Sequence, residues 1–172
     1  MGDLKVLIDE KTLQSKIEEV AERIMKDYEG KDITFICILK GSAMFTVDLA
    51  KKIRNNVRFE FIRVSSYGEG TVSSGKVTMK LDLQDSIEGE DVIIIEDIID
   101  TGRTLSYLRD YLKEKKPASL KICTLLDKKE RREFDIEPDY TAFNIPDKFV
   151  VGYGLDDKEN YRNLPYVGYF DV

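Results

Sequence analysis

The stretch Val92-Ile93-Ile94-Ile95-Glu96-Asp97-Ile98-Ile99-Asp100-Thr101-Gly102-Arg103-Thr104 constrains the fold of this chain more than any other. Its opening run of β-branched apolar residues predicts a strand buried on both faces, as in a parallel sheet. Two adjacent carboxylates follow, then a third, then a Thr-Gly-Arg-Thr turn. Leu105, Leu108 and Leu112 recur at helical spacing, so a helix begins just after that turn. In open α/β sheets ligands collect at such strand-to-helix turns. The backbone N–H groups of Thr101 to Thr104 would point at an anion, with the positive end of the helix dipole behind them. Three carboxylates beside an anion-binding turn fit a polyhydroxylated phosphate ester accompanied by magnesium.

Composition narrows the chemistry further. A chain of 172 residues fits one domain with a full core. No apolar run approaches a membrane span, and the N-terminal residues lack the apolar core of a signal peptide. Cys37 and Cys123 lie in apolar strand-like runs and read as buried free thiols in a reducing cytoplasm. The net charge of −6 argues against broad nucleic-acid binding and requires positive charge to be gathered locally around any anionic substrate. The absence of histidine removes Ser-His-Asp, Cys-His and His-ligated zinc chemistry, leaving a carboxylate as the expected general base.

Along the chain, Leu13, Ile17, Val20, Ala21, Ile24 and Tyr28 share one helical stripe, with Asp9 as N-cap and Gly30 as stop. Ile33 to Leu39 is a buried strand. Lys40-Gly41-Ser42 and a helix carrying Phe45, Leu49, Ala50 and Ile53 follow it, with Ser42 as candidate cap. Val57 to Ser66 reads as a long strand and Val77 to Leu83 as one returning. The Gly/Ser/Thr-rich segment 65–76 between them reads either as a plain connection or as a lid excluding water. Ser119 to Leu126 is a further strand. The charged run Asp127 to Arg132 at its end reads as a solvated face, although a lysine there sits where ligands collect. Phe149 is as readily core as ligand contact, and Arg162 taken alone is a surface arginine. The tail from Gly168 to Val172 has no assignment.

Glu96-Asp97-Ile98-Ile99-Asp100-Thr101-Gly102 resembles the phosphoribosyl-pyrophosphate (PRPP) motif of the type I phosphoribosyltransferases, and nearly the whole chain resembles members acting on 6-oxopurines. The resemblance implies an α/β fold: a central, mostly parallel sheet flanked by helices, with a small hood mainly from 128–172 and a flexible lid at 65–76, all in one domain, 1–172. It implies magnesium-dependent transfer of the 5-phosphoribosyl group to N9 of hypoxanthine or guanine, giving IMP or GMP and pyrophosphate. Under it, Thr101, Gly102, Arg103 and Thr104 cradle the 5′-phosphate, while Glu96 and Asp97 take the ribose hydroxyls and orient hydrated magnesium. Asp100 is the general base. Lys40 and Gly41 grip pyrophosphate, often through a non-proline cis peptide, and Arg162 holds it too. Ser66 and Tyr67 belong to the lid. Lys128 donates to the purine's exocyclic oxygen, Phe149 stacks on the base, Val150 offers backbone contacts, and Asp156 lies beside a second magnesium. The family implies a homodimer or homotetramer. Relatives acting on xanthine, and a PRPP-binding, pyrimidine-type RNA-binding attenuator, stay open as alternatives. A pI near 4.9 and the acidic Asp100 weigh against the attenuator.

Overall fold

The computed structural model describes residues 2–66 and 76–171. In chain order the elements are β1 (Leu4–Ile8), α1 (Glu10–Asp27), β2 (Ile33–Ile38), α2 (Ala43–Lys51), β3 (Val57–Ser66), β4 (Val77–Leu81), β5 (Asp91–Ile99), α3 (Arg103–Lys113), β6 (Ser119–Asp127), a 3₁₀ turn (Lys129–Arg131), β7 (Tyr140–Asn144), β8 (Val150–Val151) and β9 (Val167–Phe170). Six strands form the main sheet in the order β4-β3-β2-β5-β6-β7. All its pairings are parallel except that of β4 with β3.

Period-two alternation divides the core into two layers. Ile33 and Phe35 of β2 and Ile93 and Ile95 of β5 face a cluster with Leu13, Ile17, Val20 and Ile24 of α1 and Phe45 and Leu49 of α2. Ile36, Ile38, Val92 and Ile94 face the opposite cluster, with Leu105, Leu108 and Leu112 of α3. Burying each of those leucines contributes about 1.5–3 kcal/mol, which holds α3 on the sheet. Cys37 and Cys123 are buried and unbridged.

Several local expectations change. Asp9 does cap α1, its carboxylate accepting from Thr12 N at 2.7 Å, but the helix ends at Asp27 with Tyr28 as its C-cap, before Gly30. Tyr28 is buried against the core, and Gly30, at φ +73°, takes the left-handed turn that follows the helix. Ser42 does not cap α2: its hydroxyl donates to Ile38 O at 2.8 Å instead. The returning strand stops at Leu81, since Asp82 turns its carboxylate onto the Leu83 N–H and ends the ladder. The unassigned tail supplies β9, which pairs antiparallel with β1 and β8 in a separate three-stranded sheet. No helix among the described residues is long and apolar enough to cross a membrane.

Candidate active site

The strand order places a topological switch point between β2 and β5. β2 connects through α2 on one face to β3, whereas β5 connects through α3 on the other face to β6. The loops leaving these adjacent strands diverge and open a crevice at their carboxyl ends, the place where ligands bind in open α/β sheets.

On the β5 side, Gly102 stands at the N-cap of α3 with φ +88° and no side-chain cap. That left-handed backbone suits glycine, and a Cβ there would lie 2.5 Å from Ile136 Cγ2. The first N–H groups of a helix have no partner within it; Thr101 Oγ1 accepts from Arg103 N at 3.3 Å, and the positive end of α3 faces the crevice as an anion site. Residues 96–105 line a cavity of about 220 Å³ here. This is below the roughly 300–1,000 Å³ of a complete ligand pocket, and matches one subsite of an open cleft. Larger hollows, such as that of about 610 Å³ between α1 and β7, lie away from the carboxyl ends of β2 and β5. Arg103 lies over the Phe134 ring at 5.1 Å.

Glu96 is 7% exposed, and its Oε1 accepts from Asp97 N at 2.9 Å. Asp97 Oδ1 in turn accepts from Ile98 N at 2.6 Å. Burial, followed by the charge of Asp97, holds the Glu96 carboxyl well above its ordinary range, and burial raises Asp97 too. Two adjacent carboxylates, one buried and one half-buried, call for a cation or for hydroxyl donors. All the donors offered here are oxygens. Among the described residues no three His, Cys, Asp or Glu side chains converge to cage a metal. Magnesium held by one or two carboxylates, substrate phosphates and water needs no such cage, so the pair fits that ion.

On the β2 side the Leu39–Lys40 peptide bond is cis, one bond before Lys40–Gly41. Gly41 is pressed between Asp97 and Gly154. A Cβ on Gly41 would meet Asp97 Oδ2 at 1.7 Å, and one on Gly154 would meet Gly41 O at 2.1 Å. We predict that Gly41→Ala loses about 10²-fold in kcat/KM, the usual result of displacing a positioned group by ~1 Å. Its melting temperature should stay close to wild type, since Asp97 can swing aside; steady-state kinetics beside a thermal melt checks both.

Four further groups border the crevice. Asp100 Oδ1 accepts from Arg131 Nε at 3.0 Å, while the Asp100 carbonyl accepts from Arg132 Nη1 at 3.0 Å. Lys128 is buried, its N–H bonded to Ile99 O and its ammonium 3.4 Å from Asp147 Oδ1. Val150 is buried in β8, whereas Phe149 is 59% exposed, an unusual position for a large aromatic ring. Arg162 donates to Gly154 O at 2.7 Å and lies 3.1 Å from Asp156 Oδ1. Its charge reaches Asp97, lowering that carboxyl against the effect of burial. The fold thus brings Gly41, Asp97, Gly154 and Arg162 together on one side, and Asp100, Lys128, Arg131 and Asp147 on another. Ser66 closes β3, and Tyr67 with the rest of the segment to residue 75 lies outside the described residues.

The reading of Asp127 to Arg132 as a solvated face is wrong at both ends of the run. Asp127 is wholly buried, and its Oδ1 lies 2.7 Å from Arg132 Nη2. Asp127 is the last residue of β6, in register with Ile99, which carries it inside. Asp147 and Glu159 also reach the site, through Lys128 and Lys40, with no signal in the sequence. Asp147 follows a proline, and Glu159 stands three residues before Arg162; neither spacing distinguishes it from a surface acid.

A model of the phosphoribosyl transferase domain matches residues 7–158. The chain belongs to the phosphoribosyltransferase family. It is 51% identical over 164 residues to the hypoxanthine-guanine phosphoribosyltransferase of Streptococcus thermophilus, covering 95% of this chain and 91% of that protein. The solved hypoxanthine-guanine phosphoribosyltransferase of Bacillus anthracis superposes with a TM-score of 0.94 at 47% identity, over 99% of this chain and 100% of the other. A hypoxanthine phosphoribosyltransferase of Staphylococcus aureus gives 0.92 at 50% identity, over 97% and 91%. The mostly parallel sheet flanked by helices is therefore the phosphoribosyltransferase fold.

Proposed function

We propose that this phosphoribosyltransferase is a purine-salvage enzyme that transfers the 5-phosphoribosyl group of PRPP to N9 of hypoxanthine or guanine, forming IMP or GMP and pyrophosphate. The observation that carries this reading is the run from Glu96 to Thr104: an adjacent carboxylate pair with Glu96 buried, a third carboxylate and a helix start with glycine at its N-cap, in a chain half identical to enzymes of that name.

The open start of α3, at Thr101 to Thr104, receives the 5′-phosphate. Glu96 and Asp97 accept from the 2′- and 3′-hydroxyls and would orient hydrated magnesium, with Asp156 available to a second ion. Magnesium, when bound, neutralises charge building on the leaving pyrophosphate. Lys40, Gly41 N–H and Arg162 stabilise the same charge from the protein. As the pyrophosphate leaves, C1′ takes on oxocarbenium character, as a glycosidic carbon does, and N9 attacks from the opposite face. Asp100 accepts the purine's ring proton. Phe149 stacks on the base, the Val150 backbone meets its edge, and Lys128 donates to the 6-oxygen. Ser66 and Tyr67 belong to the lid that excludes water.

The hood and lid belong with the sheet to one domain, 1–172. The two buried thiols suit a reducing cytoplasm. A homodimer or homotetramer is supported by the exposed Met44 and Val47 of α2 and the stacked, exposed Phe59 and Phe61 of β3.

The test is nucleotide formation from PRPP with hypoxanthine, guanine, xanthine, adenine and uracil in turn. Turnover with hypoxanthine or guanine, abolished by EDTA and restored by magnesium, is the expected result. Turnover with xanthine or uracil alone would move the chain to another substrate class.

A further inference from the structure

Glu159 sits between the two cations that the proposed reaction needs for pyrophosphate. Its Oε2 lies 2.8 Å from Lys40 Nζ, and its Oε1 lies 2.9 Å from Arg162 Nη2. Lys40 leaves β2, whereas Glu159 and Arg162 belong to the segment after β8; the carboxylate therefore ties the loop after β2 to the segment after β8.

The backbone shows that this placement is not a by-product of the turn. Asp157 and Asn160 exchange backbone hydrogen bonds at 3.2 and 2.9 Å, and the two residues between them, Lys158 and Glu159, have φ +50° and +67°. Both central residues left-handed is the pattern that favours Asn-Gly. A lysine and a glutamate are unfavourable there, and the arrangement is pinned by Asp156 Oδ2 accepting from Glu159 N at 2.7 Å. A two-residue turn that tolerates a glutamate in place of glycine presents that side chain to Lys40 and Arg162.

We propose that Glu159 is a built-in stand-in for pyrophosphate: it occupies Lys40 and Arg162 in the free enzyme and must be displaced when PRPP or pyrophosphate binds. This rests on the reading of Lys40 and Arg162 as the pyrophosphate site. The contact keeps both cations in place before substrate arrives. It also weakens the enzyme's hold on the leaving group, because each binding event begins by breaking two ion pairs. Exposed pairs of this kind are each worth little, so their combined removal should tighten pyrophosphate binding about two- to tenfold.

The test measures binding of magnesium pyrophosphate and of GMP by calorimetry, and PRPP kinetics, for Glu159→Gln and Glu159→Gly. Both variants lose the charge, but only glycine relieves the turn, so a charge effect appears in both and a turn effect in one. The expected result is a two- to tenfold lower Kd for pyrophosphate and lower KM for PRPP in both variants. GMP affinity should be unchanged, and the gain should shrink as salt is raised. Unchanged or weaker pyrophosphate binding in both variants would overturn the proposal, as would a gain confined to glycine. Lys40→Ala and Arg162→Met serve as controls: if neither weakens pyrophosphate binding, the subsite reading itself fails, and the proposal with it.

Discussion

Asp100→Asn is expected to cut turnover about 10²–10⁴-fold, the usual contribution of a positioned general base, while PRPP binding stays close to wild type. The geometry makes this substitution informative. An asparagine keeps the shape of the side chain, and its Oδ1 can still accept from Arg131 Nε, which lies 3.0 Å from Asp100 Oδ1. The backbone is anchored separately, through the Asp100 carbonyl and Arg132 Nη1. What the variant loses is the capacity to take a proton. Pre-steady-state turnover beside a PRPP binding isotherm separates the two quantities. Weakened binding with intact turnover would remove Asp100 from the role of base.

Arg132→Met should be the most destabilising single change near the site, at about 3–5 kcal/mol, because it strands the Asp127 carboxylate. The pair is nearly dry: the side chains of Arg132 and Asp127 are 11% and 0% exposed. Arg132 also donates from Nε to Ile136 O at 2.9 Å, so one guanidinium joins the ends of β5 and β6 and the segment beyond them. For a chain of this size the melting temperature should fall by roughly 6–20 °C. Pairing it with Asp127→Val removes the stranded charge and should restore much of that stability. Turnover should remain low in the double variant, since the Asp100 carbonyl has lost its anchor. Full recovery of turnover together with stability would show that Arg132 has no part in positioning Asp100.

Local pattern made the centre of the molecule readable from sequence. Ile93 to Ile95 and Leu105, Leu108 and Leu112 carry the strand and helix that frame the anion-binding turn, and their periodicities are intrinsic to the chain. Asp9 as a cap was equally local. What sequence could not supply depends on partners distant in the chain. Asp127 looks like the start of a charged surface run until β6 is laid beside β5. Gly168 to Phe170 look like a loose tail until they pair with Leu4 to Val6. Gly41 reads as an ordinary turn residue until Asp97 and Gly154 close on it from either side. Arg162 and Phe149 carry no local signal at all, and their proposed roles came from the resemblance. Glu159 escaped both routes.

The most direct test of the account is a crystal structure of the chain with GMP. The account predicts the 5′-phosphate within hydrogen-bond distance of the backbone N–H groups at the start of α3, with the ribose hydroxyls toward Glu96 and Asp97. It also predicts the guanine ring against Phe149, with its 6-oxygen at Lys128 Nζ. A phosphate bound elsewhere, or a base turned away from Lys128 and Phe149, would contradict it.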